Sequence, residues 1–130
     1  MGYQPIPDSL DRIARQIVDA AFTVHTQLGP GLLEKVYEKC MKYELKKRNL
    51  YVESQVPVPI IYDGIDIDEE LRIDLLVERE VIVELKAAEV MHPVYDAQLL
   101  SYLKLTNKRL GLLINFNVEL IKNGIKRKVI

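Results

Sequence analysis

Residues 72–87, RIDLLVEREVIVELKA, constrain this chain more than any other stretch. Two runs of aliphatic residues separated by Glu78-Arg79-Glu80 read as neighbouring strands of a sheet. Charge interrupts both runs: Asp74 lies in the first, Glu84 and Lys86 in the second. A sheet interior takes up charge only when it is compensated. Glu84 and Lys86 are two apart, so they share one face, while Val81, Val83 and Leu85 share the other. The face of Asp74 depends on register. A two-residue loop at Arg79-Glu80 pairs Asp74 with Leu85 and turns it away from Glu84. A three-residue loop over 78–80 pairs Asp74 with Glu84 and Arg72 with Lys86. Carboxylates placed directly opposite each other repel, so the second register needs positive charge between them. Lys86 supplies part of it, and a divalent cation would supply more. A hard cation such as Mg²⁺ binds few carboxylates and keeps several waters. Asp74, Glu84 and the backbone carbonyl of Leu85 suffice for one, together with a substrate phosphate. The competing reading is a net of ion pairs, Arg72–Glu84–Lys86–Asp74, on a half-wet sheet face.

Composition narrows the classes of function. The chain has 130 residues, the size of one ordinary domain spanning 1–130, and 48% of them are hydrophobic. The single cysteine, Cys40, leaves no intrachain disulfide and no cysteine metal site. No apolar run approaches the length of a membrane span, and no secretory leader stands at the start. Met1-Gly2 opens like a myristoylation site, but Ile6 stands where Ser or Thr is required. A cytoplasmic protein with no membrane partner is expected. The net charge of −1 is unevenly spread. Residues 1–52 hold eight Lys/Arg against six acids, 53–103 three against twelve, and 104–130 seven against one. An acidic centre with basic flanks suits a cation held between polyanion-binding ends, and equally the solvated faces of a neutral protein.

Along the chain, Asp8 after Pro7 reads as a helix N-cap. Leu10, Ile13, Ile17, Ala21, Val24 and Leu28 then follow at helical spacing until Gly29-Pro30. A second helix, roughly 31–48, carries an apolar face of Leu33, Val36, Tyr37, Cys40 and Met41 and ends in Lys46, Lys47 and Arg48. Pro57 and Pro59 mark 51–62 as an edge strand or an irregular one. Asp63-Gly64 is a turn, and strands at about 65–77 and 81–87 follow. A third helix over about 93–106 turns Val94, Ala97, Leu100 and Leu103 (or Leu99) inward. Residues 110–116 form a buried strand, and VELI, a turn at Asn123-Gly124 and IKRKVI close the chain. The order ααβββαββ predicts an α/β (α+β) fold, one mixed sheet flanked by helices.

Two further runs bear on the charged trio. Glu34 lies in the first turn of the second helix, where a carboxylate also complements the helix dipole. Gln98 and Tyr102 are i,i+4 on the third helix and share a face. Taken together, Gly31-x-x-Glu34-x-x-Tyr37, Asp74, Glu84-Leu85-Lys86 and Gln98-x-x-x-Tyr102 resemble the small GxxExxY proteins. These are placed by similarity in the PD-(D/E)xK nuclease superfamily, with its restriction-endonuclease-like core. The likeness runs from about residue 10 to the end, and the last spacing resembles the QxxxY motif of the RecB-like branch. The proline of the superfamily name is absent, Ile73 preceding Asp74.

The resemblance implies a metal-dependent nuclease that hydrolyses phosphodiester bonds, DNA ahead of RNA. Asp74 and Glu84 would ligate Mg²⁺ or Mn²⁺, with Glu34 approaching directly or through water. Lys86 would act on the attacking water or the transition state. Gln98 and Tyr102 would orient Lys86 or contact the nucleic-acid backbone. His25 would reach the same pocket, or else stand on the helix surface. The grip on nucleic acid would come from Lys104, Lys108, Arg109, Lys122, Lys126, Arg127 and Lys128, with Lys35, Lys39 and Lys42. The alternative is a non-catalytic or regulatory module of the same fold, binding a protein partner or a nucleic acid. In that module VPVPIIY and the apolar final segment would serve as the edge of a homodimer.

Overall fold

A computed structural model describes residues 4–130; the Met1-Gly2 pair lies outside the described residues. Helix α1 (Asp8–Leu28) and helix α2 (Glu34–Lys47) come first. Strands β1 (Val52–Tyr62), β2 (Ile65–Val77) and β3 (Val81–Lys86) follow. Helix α3 (Pro93–Thr106), strand β4 (Leu110–Asn115), a 3₁₀ turn (Ile121–Gly124) and strand β5 (Ile125–Val129) complete the chain. The sheet order is β1-β2-β3-β4-β5. β3 and β4 run parallel, and every other pair is antiparallel. A parallel pair needs a crossover, and α3 is that crossover.

Two apolar layers cover the sheet. On one face α1 and α2 bury Ile17, Ala21, Tyr37 and Met41 against Val77, Val83, Leu85 and Leu112. On the other, Leu99 and Leu103 of α3 pack on Ile73, Leu76, Ile82 and Leu113. Arg48 joins the two helices of the first layer, bonding Asp19 at 2.8 Å and the buried Glu44 at 2.7 Å. β3 and β4 are covered on both faces, which is why their runs are almost wholly apolar. β1 is an edge strand, as its two prolines require.

Several expectations are corrected. Asp8 is the first residue of α1, not its cap; Pro7 holds the cap position, and Asp8 and Asp11 complement the dipole instead. Helix α2 begins at Glu34, because Gly31 takes a positive φ and Leu33 is extended. Leu33 and Val36 are accordingly exposed. Val94 and Ala97 of α3 face outward, and its buried face is Leu99 and Leu103. The segment VELI is not a strand: residues 117–120 form bends before the 3₁₀ turn.

That turn closes tightly over the end of β4. A Cβ on Gly124 would overlap the carbonyl oxygen of Asn115. Replacement of Gly124 by alanine is expected to cost about 3 kcal/mol, read as a lowered urea midpoint at unchanged m-value.

Candidate functional site

The ladder between β2 and β3 has three pairs: Val77↔Val81, Leu76↔Ile82 and Leu75↔Val83. The loop is therefore the three-residue one, 78–80, and the register sets Asp74 opposite Glu84. There the ladder stops and the side chains take over. The Asp74 N–H donates to Glu84 Oε2 at 2.9 Å, and the Leu85 N–H donates to Asp74 Oδ2 at 2.9 Å. Each carboxylate thus accepts a backbone donor from the opposite strand.

Burial makes this arrangement costly. Glu84 is 8% exposed. Burial first, then the neighbouring Asp74, push its carboxyl up to about 8, against the opposing pull of the Asp74 N–H and Lys86. Glu34 is exposed at the start of α2, yet partial burial and then Asp74 raise its carboxyl, while Lys86 lowers it. Glu34 thus feels the charge of Asp74 and Lys86. Glu38, one turn on, is raised by burial and then by Asp74. The Tyr102 hydroxyl of α3 is half-buried and raised by burial, then by Glu84 and Asp74. Groups from both helical layers thus meet where β2 and β3 part.

Lys86 is half-buried, its Nζ 4.4 Å from the centroid of the Tyr95 ring. Among the described residues it forms no ion pair, and no hydrogen bond joins it to Gln98 or Tyr102. An ammonium held over an aromatic face keeps its three donors available. The alternative net of ion pairs is not formed: Arg72 pairs with Glu70, and Asp74, Glu84 and Lys86 enter no ion pair among the described residues. Gln98 and Lys104 are exposed on α3. His25 is neither at the site nor on the surface; it is buried, its Nε2 2.7 Å from the Val118 carbonyl oxygen.

Two anchors set the frame. The Tyr37 hydroxyl donates to the Gly29 carbonyl at 2.6 Å and accepts from the Leu32 N–H at 3.1 Å. Its ring stacks on Phe116 at 4.5 Å. This pins the loop that delivers Glu34. Asn115 is buried and paired in register with Lys86. Its side chain accepts from the Ala88 N–H at 3.0 Å and donates to the Ala88 carbonyl at 2.9 Å, while the Phe116 N–H bonds the Lys86 carbonyl at 2.9 Å. The chain leaving Lys86 is thus fixed on both sides. Glu38, Gln55, Tyr95 and Asn115 are site residues that sequence reasoning missed. Glu38 had a signal, since it follows Glu34 by one helical turn; the other three depend on long-range packing.

Among the described residues no group of three or more His, Cys, Asp or Glu side chains is arranged to hold a metal ion. The donor set still fits Mg²⁺ or Mn²⁺. It consists of hard oxygens, two carboxylates and a backbone carbonyl, and such ions keep much of their water. Burial and then Asp74 disfavour the charged form of Glu84, and a bound cation would favour it.

A mixed five-stranded sheet between helices, with a carboxylate pair and a lysine where two central strands separate, defines a restriction-endonuclease-like architecture. Residues 11–128 match the family model described as PD-(D/E)XK nuclease superfamily, and the chain belongs to that superfamily. No curated protein and no solved structure matches it. Among the described residues no helix is long and apolar enough to cross a membrane.

Two outcomes are expected. A carboxyl raised by folding binds its proton more tightly in the native state, so its contribution is present below its ordinary value of 4.5 and is lost as pH rises toward 8. Metal-free protein should lose stability across that window, by at most about 5 kcal/mol, and Glu84→Gln should flatten the slope in urea titrations. Tyr37→Phe should cost about 2 kcal/mol, since the Gly29 carbonyl and Leu32 N–H lose their partner. It should also speed amide exchange in residues 29–33.

Proposed function

We propose that the protein is a metal-dependent nuclease that cleaves phosphodiester bonds, with DNA its substrate ahead of RNA. The observation that carries this reading is the reciprocal Asp74–Glu84 pair at the end of the β2–β3 ladder, with the unpaired ammonium of Lys86 beside it. Family membership supports the nuclease class. The run Gly31-x-x-Glu34-x-x-Tyr37 supports a place in the GxxExxY branch.

In this reading Asp74, Glu84 and the Leu85 carbonyl hold Mg²⁺ or Mn²⁺, and Glu34 reaches it directly or through a water. A cation held there would supply an acidified water and offset charge on the phosphoryl group. Lys86 turns its ammonium from Tyr95 toward the attacking water or a phosphoryl oxygen and donates a hydrogen bond there. Gln98 and Tyr102 face the nucleic-acid backbone from α3, and Lys104 adds charge on the same helix. The protein acts in the cytoplasm, and a homodimer would bring two sites together.

A second reading, a module that binds a protein, draws on one feature. The tip of the β1–β2 hairpin exposes Ile61, Tyr62, Ile65 and Ile67 among Asp63, Asp66, Asp68, Glu69 and Glu70. Such a tip repels a polyanion and offers an apolar contact.

Calorimetric titration and a cleavage assay separate the readings. Wild-type protein should bind Mn²⁺ and cleave duplex or single-stranded DNA, with activity falling steeply as salt rises. Asp74→Ala should lose both. Lys86→Ala should keep Mn²⁺ and lose cleavage by at least about a hundredfold. Loss of Mn²⁺ binding in Lys86→Ala with the fold intact would remove the role assigned to Lys86.

A further inference from the structure

Strand β1 contains a conformation that strands do not ordinarily tolerate. Gln55 has a φ of 52°. The left-handed region costs a residue other than glycine about 1 kcal/mol or more, and persists where the surroundings impose it. The pairing of β1 with β2 is interrupted there: Ser54 pairs with Leu75 and Val56 with Ile73, and Gln55 opposite Asp74 is skipped.

The strands also change faces at this point. Residues two apart on a regular strand lie on one face. Yet Val52 packs in the α1–α2 layer and Ser54 bonds Lys42 of α2 at 2.9 Å, whereas Val56 and Val58 pack in the α3 layer. Leu75 and Ile73 of β2 divide in the same way. Gln55 and Asp74 are the two residues at the changeover.

The side chain of Gln55 uses this position. Its Nε2 donates to Glu38 Oε1 at 2.8 Å and reaches Asp74 Oδ1 at 3.3 Å. The other Asp74 oxygen is already taken by the Leu85 N–H. Each Asp74 oxygen thus accepts one hydrogen bond and keeps a further lone pair, and on Oδ1 that lone pair is open to a cation, with Gln55 the neutral donor that aims the oxygen. The backbone side is held as well, since Arg72 Nη1 donates to the Gln55 carbonyl at 3.3 Å.

We infer that Gln55 is a positioning residue for the cation site: its left-handed backbone brings one amide between Glu38 and Asp74 and fixes the Asp74 oxygen that ligates the ion. The inference rests on the reading of Asp74 as a cation ligand. An amide can donate to both acids at once, where a carboxylate at 55 would add repulsion. It also couples α2 to the site through a hydrogen bond rather than through the cation alone.

The test separates the backbone from the amide. Glycine adopts the left-handed region freely and alanine does not, and neither carries the amide. Wild-type chain, Asp74→Ala, Gln55→Gly and Gln55→Ala are titrated with Mn²⁺ by calorimetry, and their melting temperatures are recorded without metal. The expected result is a loss of Mn²⁺ affinity of about tenfold in both Gln55 variants. Gln55→Gly should melt near wild type and Gln55→Ala lower. Wild-type affinity in Gln55→Gly overturns the inference, as does weakened binding confined to Gln55→Ala, which would make residue 55 a purely structural position. If wild type takes no Mn²⁺, or if Asp74→Ala takes it equally well, the cation-site reading itself fails and the inference falls with it.

Discussion

The site depends on an exchange at the end of a strand ladder. Beyond Leu75↔Val83, the β2–β3 pair continues with two carboxylates that bond each other's strands in place of backbone carbonyls. This satisfies buried donors, which a parting of strands would otherwise strand without partners. It also gathers negative charge in a place that repels it. The fold accepts that cost because both apolar layers close tightly around β3, whose Val81, Ile82, Val83 and Leu85 are fully buried. What the sheet tolerates here is what a hard cation uses: a few oxygens held close together, with the rest of its shell left to water.

The helices contribute differently. Helix α2 brings acids, Glu34 and Glu38, and Tyr37 makes their placement definite by tying Gly29 to Leu32. Helix α3 brings aromatic surface, with Tyr95 under the Lys86 ammonium and Tyr102 near the carboxylates. Asn115 ties the exit of β3 to β4. Charge therefore enters from one layer and shaping groups from the other, and they meet only where β2 has left β3.

Much of this was legible in the sequence. The order of elements and the edge character of β1 follow from period and proline; the pairing of Asp74 with Glu84 was one of two open registers, and the β2–β3 ladder decides it. The Gly31-x-x-Glu34-x-x-Tyr37 run pointed to Glu34, but the role of Tyr37 as the clasp of its own loop needed coordinates. Leu33 and Val36 misled because an apolar residue at helical spacing says nothing of where the helix begins. VELI misled because four residues of strand-like composition cannot be told from the approach to a 3₁₀ turn. Tyr95 and Gln55 were invisible: one acts through a ring face across a loop, the other through a backbone conformation that its residue type does not advertise.

The shortness of the β2–β3 ladder has a consequence for folding. Asp74, Glu84 and Lys86 are close in sequence, but a local hairpin does not by itself assemble the site. Three pairs are too few to hold a hairpin in water. The hairpin gains stability only when α1 and α2 close on one face and α3, crossing to β4, closes on the other. Both closures join residues far apart in the sequence, as the His25–Val118 bond shows, and such contacts form late. A chain still emerging or partly collapsed thus carries the three residues without their geometry, and the carboxylate pair with its lysine is assembled only in the finished fold.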